Sequence, residues 1–247
     1  MQLAVLEGGS AEGSLDLARR AVAEGAQALI ACGGDGTVHF ALQAVAGSDT
    51  ALGIIPMGTG NDIARSVGLP MKDPLAAADV IADGRTRMVD YGTVAAADGT
   101  ERAFLAVMSA GFDSEVNARA NSMKWPTGSS RYLVATMAEL GVYRPVEFRI
   151  TVDGVQTSEP GMMLAIGNGP SYGGGMFVCP NADLDDAKLD LTFLTKTNRA
   201  TFLTIFPRVF KGTHIHHPSV RSLRGATIRV EAQGQTAFAD GERVGPL

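Results

Sequence analysis

Apolar and polar positions fall into two textures along the chain. In the first third, compact apolar runs alternate with helix-spaced ones. QLAVL (2–6), AQALIAC (26–32) and ALGIIP (51–56) are short runs of the kind a buried parallel strand shows. Between them, SLDLARRAVAEG (14–25) predicts a helix with Ser14 as N-cap and Gly25 as its stop. VHFALQAVAG (38–47), NDIARSVGL (61–69) and DPLAAADVIADG (73–84) predict three more, the last with Asp73 ahead of Pro74 at its first turn. Strand and helix in alternation argue for a parallel sheet covered by helices.

The texture changes near Arg85. Alternating runs flank an Asp98-Gly99 turn, which predicts a hairpin. Strand-like runs recur at 146–153, 161–167, 188–195, 226–231 and 236–239, and helical spacing at 131–142 and 199–210. The expected fold is an α/β domain with a parallel sheet over residues 1–88, then a mainly antiparallel β domain over 89–247, with the boundary inside 85–92. Neither a tandem repeat nor a low-complexity tract interrupts them.

Composition narrows the class. Of 247 residues, 45% are hydrophobic and 19% charged, ordinary values for a globular protein. No apolar run is long enough to predict a spanning helix, and no basic leader precedes the first apolar run. Cys32 and Cys179 are the only cysteines, so a reducing cytoplasm fits better than a secreted disulfide framework. The net charge of −5 argues against a general nucleic-acid binder. Charge is uneven, however. Seven Lys or Arg and no Asp or Glu lie between Lys196 and Arg229. That stretch is a solvated basic face, or else a patch for phosphate or an anionic membrane.

Candidate chemistry sits in two glycine turns, GGDGT (33–37) and MGTGND (57–62), each following a strand. Ligands of open parallel sheets bind beyond the carboxyl ends of the strands. Glycine lets backbone approach a ligand closely, and the helix N-termini that follow favour phosphate. Taken alone, GGDG is equally an ordinary turn with Asp35 capping its helix. Two such turns, each with an Asp, shift the balance to a nucleotide with a cation. The chain contains no GxxxxGK[ST] and no complete GxGxxG, so backbone and metal would hold the phosphates.

GGDGT with IIPMGTGNDIAR (54–65) resembles the diacylglycerol kinase catalytic family of lipid kinases. NAD kinases share the first turn and phosphofructokinases have a close variant; the second block belongs to the lipid kinase branch. VDYG (89–92), GNGPSYGGGM (167–176), PNADLDDAKLDL (180–191), GTHIHHPSV (212–220) and ADGERV (239–244) follow in the family's order, so the resemblance covers nearly the whole chain.

The resemblance implies an NAD kinase/diacylglycerol kinase-like N-terminal domain that binds nucleotide and a C-terminal β-sandwich that takes the lipid, with the site in a cleft between them. It implies Mg²⁺ and ATP as cofactors. Gly33, Gly34, Asp35, Gly36 and Thr37, with Gly58, Thr59, Gly60 and Asn61, would cradle the phosphates. Asp62 would hold the catalytic Mg²⁺, with Asp90 and Asp35 reaching it through water. The residue-level alternative for Asp62 is an i,i+3 pair with Arg65, and for Asp90 a turn position. Glu242 would be the base for the acceptor hydroxyl, with Asp240 its neighbour; read without the family, ADGER is a hairpin turn with exposed acids. Asp183 and Asp186 would bind a second, structural Mg²⁺, in a loop where Ala187 replaces the usual glycine. HIHH (214–217) invites a zinc reading, but no HExxH or cysteine pair accompanies it.

Relatives open with a strand and an Asn-Pro-x-Ser-Gly turn. Here that strand is expected to be absent, and the chain stops five residues after Glu242. The expected protein is a cytoplasmic enzyme attached peripherally to the membrane that holds its lipid substrate. FLTIFPRVFKG (202–212) would face the headgroups or serve as a core helix, and exposed sheet edges are compatible with a homodimer. Two other readings stay open: a kinase of NAD or another soluble metabolite, and a shortened relative that binds nucleotide or lipid without turnover.

Overall fold

The computed structural model describes residues 3–123, 125, 134–136, 138 and 144–247. The chain divides into two compact units, Met1–Met88 and Val89–Leu247.

In the first unit the order is α1 (Ala11–Ala23), β1 (Ala28–Gly33), α2 (Asp35–Val45), β2 (Ala51–Pro56), α3 (Asp62–Ser66) and α4 (Pro74–Ala82). β1 and β2 pair in parallel, from Ala28 beside Ala51 to Gly33 beside Pro56. The core side chains include Ile54 and, on α2, Val38 and Leu42. Gly25, at φ +85°, ends α1 as the pattern predicts. The start of α1 differs from expectation. Its N-cap is Ser10, whose Oγ accepts from Gly13 N at 3.1 Å, while the Ser14 hydroxyl donates back to Ser10 O. Asp73 caps α4 by accepting from Leu75 N and Ala76 N.

Residues 3–7 form no strand, against the expectation for 2–6. The described sheet of this unit is β1 with β2. Among the described residues no strand pairs with this run, and Leu3 is 68% and Val5 85% exposed.

The second unit is antiparallel. β3 (Gly92–Ala95) and β4 (Glu101–Phe104) form the hairpin around Asp98-Gly99, with Gly99 at φ +84°. The other strands are β5 (Val107–Gly111), β6 (Val146–Val152), β7 (Val155–Gly167), β8 (Leu189–Thr195), β9 (Val220–Gly225), β10 (Ile228–Glu231), β11 (Thr236–Ala239) and β12 (Glu242–Pro246). β7 changes company along its length. Its first half, to Gly161, pairs with β6, and its second half with β5 and β8. Gly161 lies where this happens. A Cβ there would stand 2.2 Å from the Phe193 ring. Phe148 and Phe193 meet edge to face at 5.5 Å inside this core. Two hairpins use Asp-Gly pairs with positive φ at both positions, Asp153-Gly154 and Asp240-Gly241, which suits the strand twist. β9 and β12 were not among the expected strands.

The helices α5 (Phe112–Ser122) and α6 (Arg199–Val209) accompany the sheet. The helix expected at 131–142 lies outside the described residues apart from 134–136 and 138, which are helical. α6 buries Phe202 and Ile205 against Phe112, Val116 and Leu194. Beneath it a cavity of about 40 Å³ is lined by apolar side chains, Thr192 and His214. The His214 Nε2 donates to Val178 O at 3.1 Å, and among the described residues its Nδ1 has no partner. Burial holds its pKa below the ordinary 6.5; the Val178 contact opposes this, and nearby His216 adds to it. The unfolded chain therefore binds a proton that the folded chain resists, so this contribution is fully present above pH 6.5 and is lost as pH falls below it. Thermal melts across that range should show a steeper acid-side loss for the parent than for His214→Gln, which keeps a donor for Val178 without a titrating ring.

Candidate active site

The two glycine turns of the first unit are locked together by backbone contact. β1 delivers Gly33 and Gly34, and β2 delivers Gly58 after Met57, whose N–H donates to Gly33 O at 2.9 Å. A Cβ on Gly58 would lie 2.5 Å from the Gly34 Cα and 2.8 Å from Asn61 Oδ1. Only hydrogen fits there. A Cβ on Gly33 would meet Thr37 Oγ1 at 2.4 Å. Asn61 closes the second turn: its Oδ1 accepts from Gly58 N and its Nδ2 donates to Gly58 O, both at 2.9 Å. It does so from φ +52°, a conformation Asn tolerates better than most residues.

Asp35 is the first residue of α2 and does not cap its own helix; Gly34 is the N-cap and has no side chain to offer. The Asp35 carboxylate instead accepts from Ile63 N at 3.0 Å, capping α3 from 28 residues away. The first-turn N–H groups of α2 consequently have no intrahelical acceptor, and the positive end of the helix dipole lies with them. Such a turn can bind phosphate. Asp62 is 4% exposed, and Arg65 Nη1 reaches its Oδ1 at 3.0 Å. The i,i+3 pair therefore exists, around a carboxylate that is already buried. Gly36, Thr59 and Gly60 complete the two turns, and Gly60 O also receives Arg65 at 3.4 Å.

Asp90, Asp183, Asp186, Asp240 and Glu242 belong to the second unit. Asp240 is 8% exposed, and the exposed-acid reading of ADGER fails for it. Its carboxylate accepts from three successive backbone groups, Leu105 N at 2.9 Å, Ala106 N at 2.8 Å and Val107 N at 3.2 Å. Its own N–H donates to Val107 O. Glu242, two residues on, begins β12 opposite Ala239. It is half-buried, and among the described residues its carboxylate has no partner.

Asp90 holds the acidic loop. Its N–H donates to Leu184 O, and its Oδ2 accepts from Ala187 N, each at 2.6 Å. Asp183 accepts from Asp185 N at 3.2 Å and Asp186 from Lys188 N at 2.8 Å. The Arg224 guanidinium pairs with Asp186 and lies 3.3 Å from Asp190. Burial raises the pKa of Asp190. Ala187 sits at φ +55°, the left-handed conformation that glycine would take without strain. Among the described residues no three His, Cys, Asp or Glu side chains gather as a metal site.

Two participants carried no assigned role in the sequence. Asn168, 1% exposed, donates through Nδ2 to Asp90 O at 2.9 Å and Leu105 O at 3.0 Å. It thereby joins the Asp90 segment to the strand that Asp240 clamps. A polar residue ending a long apolar run in AIGNG was the available signal. Arg224 lay within the basic stretch, and nothing local to it marks an acidic loop as its partner.

Residues 1–94 match the model of the diacylglycerol kinase catalytic domain, and residues 106–247 that of the YegS C-terminal NAD kinase beta sandwich-like domain. The class is thus a kinase with an alcohol acceptor, built from an α/β catalytic domain and an antiparallel sandwich. Within it, the chain belongs to the diacylglycerol kinase family. It is 46% identical to the diacylglycerol kinase of Mycobacterium tuberculosis (strain ATCC 25618 / H37Rv), across 97% of this chain and 78% of that protein. It is 31% identical to the diacylglycerol kinase of Bacillus subtilis (strain 168), across 89% and 72%. The fold is shared with a crystal structure of a candidate diacylglycerol kinase from Bacillus anthracis str. Sterne, with a TM-score of 0.73 at 24% identity, over 96% of this chain and 77% of that one.

Two stability measurements test this description. Asp240→Ala leaves three buried N–H groups without their acceptor, and chemical denaturation should show a loss of about 3 kcal/mol or more. Ala187→Gly relieves the left-handed strain and should raise stability by about 1 kcal/mol.

Proposed function

We propose that the protein transfers the γ-phosphate of ATP to the hydroxyl of diacylglycerol or a closely related lipid, with Mg²⁺. The observation that carries this reading is the pair of glycine turns held Cα against Cβ position at Gly34 and Gly58, with the open first turn of α2 beside them. That surface offers N–H groups and no side-chain bulk, which suits a polyphosphate.

Gly33, Gly34, Gly36 and Thr37, with Gly58, Thr59 and Gly60, bind the phosphates through backbone groups. Asn61 keeps the second turn in shape, and Asp35 fixes α3 against the first. Asp62 would hold the metal: its carboxylate is buried and lies 3.0 Å from the Arg65 guanidinium, so it already sits with a cationic partner. When bound, Mg²⁺ neutralises charge on the transferring phosphoryl group. Asp90, one oxygen of which accepts from Ala187 N–H, would support the same ion. By the same family pattern Asp183 and Asp186 would hold a second, structural Mg²⁺. The Arg224 guanidinium supplies positive charge beside Asp186.

Glu242 takes the proton from the lipid hydroxyl as it attacks. Its uncommitted carboxylate on a fixed strand end fits a general base. Asp240 is a positioning residue, because its oxygens are engaged by backbone N–H groups and its hairpin sets where Glu242 stands. No described helix is long and apolar enough to cross a membrane.

Radiolabelled ATP, offered with a lipid panel and separately with NAD, tests the reading. Label in diacylglycerol supports it; label in NAD alone overturns it. Glu242→Gln should lower kcat by about 10²–10⁴-fold with little change in the KM for ATP. Unchanged turnover removes Glu242 from the mechanism.

A further inference from the structure

α6 is apolar on two sides. One side buries Phe202 and Ile205 in the core. Leu203, Pro207 and Phe210 follow one another at i, i+4 and i+7, a single stripe on the outward side. Leu203 is 48% and Phe210 50% exposed. An aromatic series runs from the core to this stripe: Phe112 contacts Phe202, Phe202 stacks on Phe206, and Phe206 meets Phe210 at 6.0 Å.

The cations of the same region divide into two groups. On the strands, Arg221 pairs with Glu159, Arg224 with Asp186 and Asp190, and Arg229 with Glu231. On α6 and its flanks, Lys196, Arg208 and Lys211 are exposed and have no acidic partner among the described residues. No Asp or Glu occurs from Lys196 to Val230. The unneutralised positive charge thus coincides with the exposed apolar stripe, on a chain whose net charge is −5.

We infer that the outward face of α6 docks on an anionic lipid bilayer, with Leu203 and Phe210 entering the headgroup region and Arg208, Lys211 and Lys196 meeting lipid phosphates. An apolar stripe bordered by cations is the chemistry of an interfacial helix. Charge complementarity selects an anionic surface: each basic side chain near it strengthens binding by about fivefold. The opposite net sign of the whole chain turns other faces away from the same membrane and so favours this one. The inference rests on the lipid kinase reading for its choice of a bilayer over another anionic surface.

Flotation of the full chain with vesicles of phosphatidylcholine, with and without phosphatidylglycerol, is the test. The parent should bind only the anionic vesicles, and more weakly as salt rises. Arg208→Glu with Lys211→Glu should cut that binding about tenfold or more. Leu203→Ser with Phe210→Ser should weaken it at every salt concentration. All four sites are on the surface, so circular dichroism and melting should stay at parental values. Binding that neither pair alters overturns the inference. So does a dimer, seen by sedimentation, that Leu203→Ser with Phe210→Ser dissociates while vesicle binding persists, because a second copy is then the occupant. A short-chain diacylglycerol assayed without a bilayer separates the two readings. Both pairs of variants should phosphorylate it as the parent does. If the parent phosphorylates no lipid, the kinase reading fails, and flotation still decides the docking face.

Discussion

A carboxylate receiving backbone N–H groups is the joint on which this molecule is built. Asp35 receives Ile63 N, Asp90 receives Ala187 N, and Asp240 receives three consecutive amides from Leu105 to Val107. Asp153 likewise takes Thr227 N at 2.9 Å. The segments joined lie far apart in sequence, by 28 residues for Asp35 and 97 for Asp90. A charged acceptor makes a stronger hydrogen bond than a neutral one, and it can serve several donors at once. Short loops are held this way without a large core of their own.

The same habit sorts the acids by what remains available for chemistry. Asp240 is fully engaged by the fold. Asp90 keeps one oxygen outside its bond to Ala187. Glu242 stands two residues beyond the clamp, and among the described residues its carboxylate has no partner. In the first unit Asp35 fastens a helix, while the buried Asp62 pairs with the Arg65 guanidinium.

Much of this was legible in the sequence, for local reasons. Alternating apolar runs define β1, β2 and the helices between them. Asp98-Gly99 marks a hairpin because that dipeptide suits the backbone of a tight turn. The glycine turns are visible because Gly34 and Gly58 have no room for a side chain. What stayed hidden depends on distant partners. ADGER reads as an exposed hairpin until the amides of 105–107 arrive to bury Asp240. VRSLRG looks like part of a basic face until β8 pairs with it and supplies Asp190 for Arg224. QLAVL has a strand's composition, but composition does not provide a neighbour. Ser10 and Ser14 are both competent caps, and only the backbone shows which one the first turn uses.

The clamp at Asp240 also has a consequence for how the protein is made. β5 lies between β7 and β11, and the Asp240 carboxylate comes 133 to 135 residues after the amides it receives. The β6–β7 hairpin can zip as soon as it leaves the ribosome, since its partners are adjacent. One margin of β5 cannot. It waits, apolar and unpaired, until the ribosome has released residues 236–246. Synthesis at about 5–20 residues per second makes that interval several seconds at least. A nascent chain with a bare sheet margin is a substrate for chaperones, and slow codons ahead of β11 would lengthen its exposure.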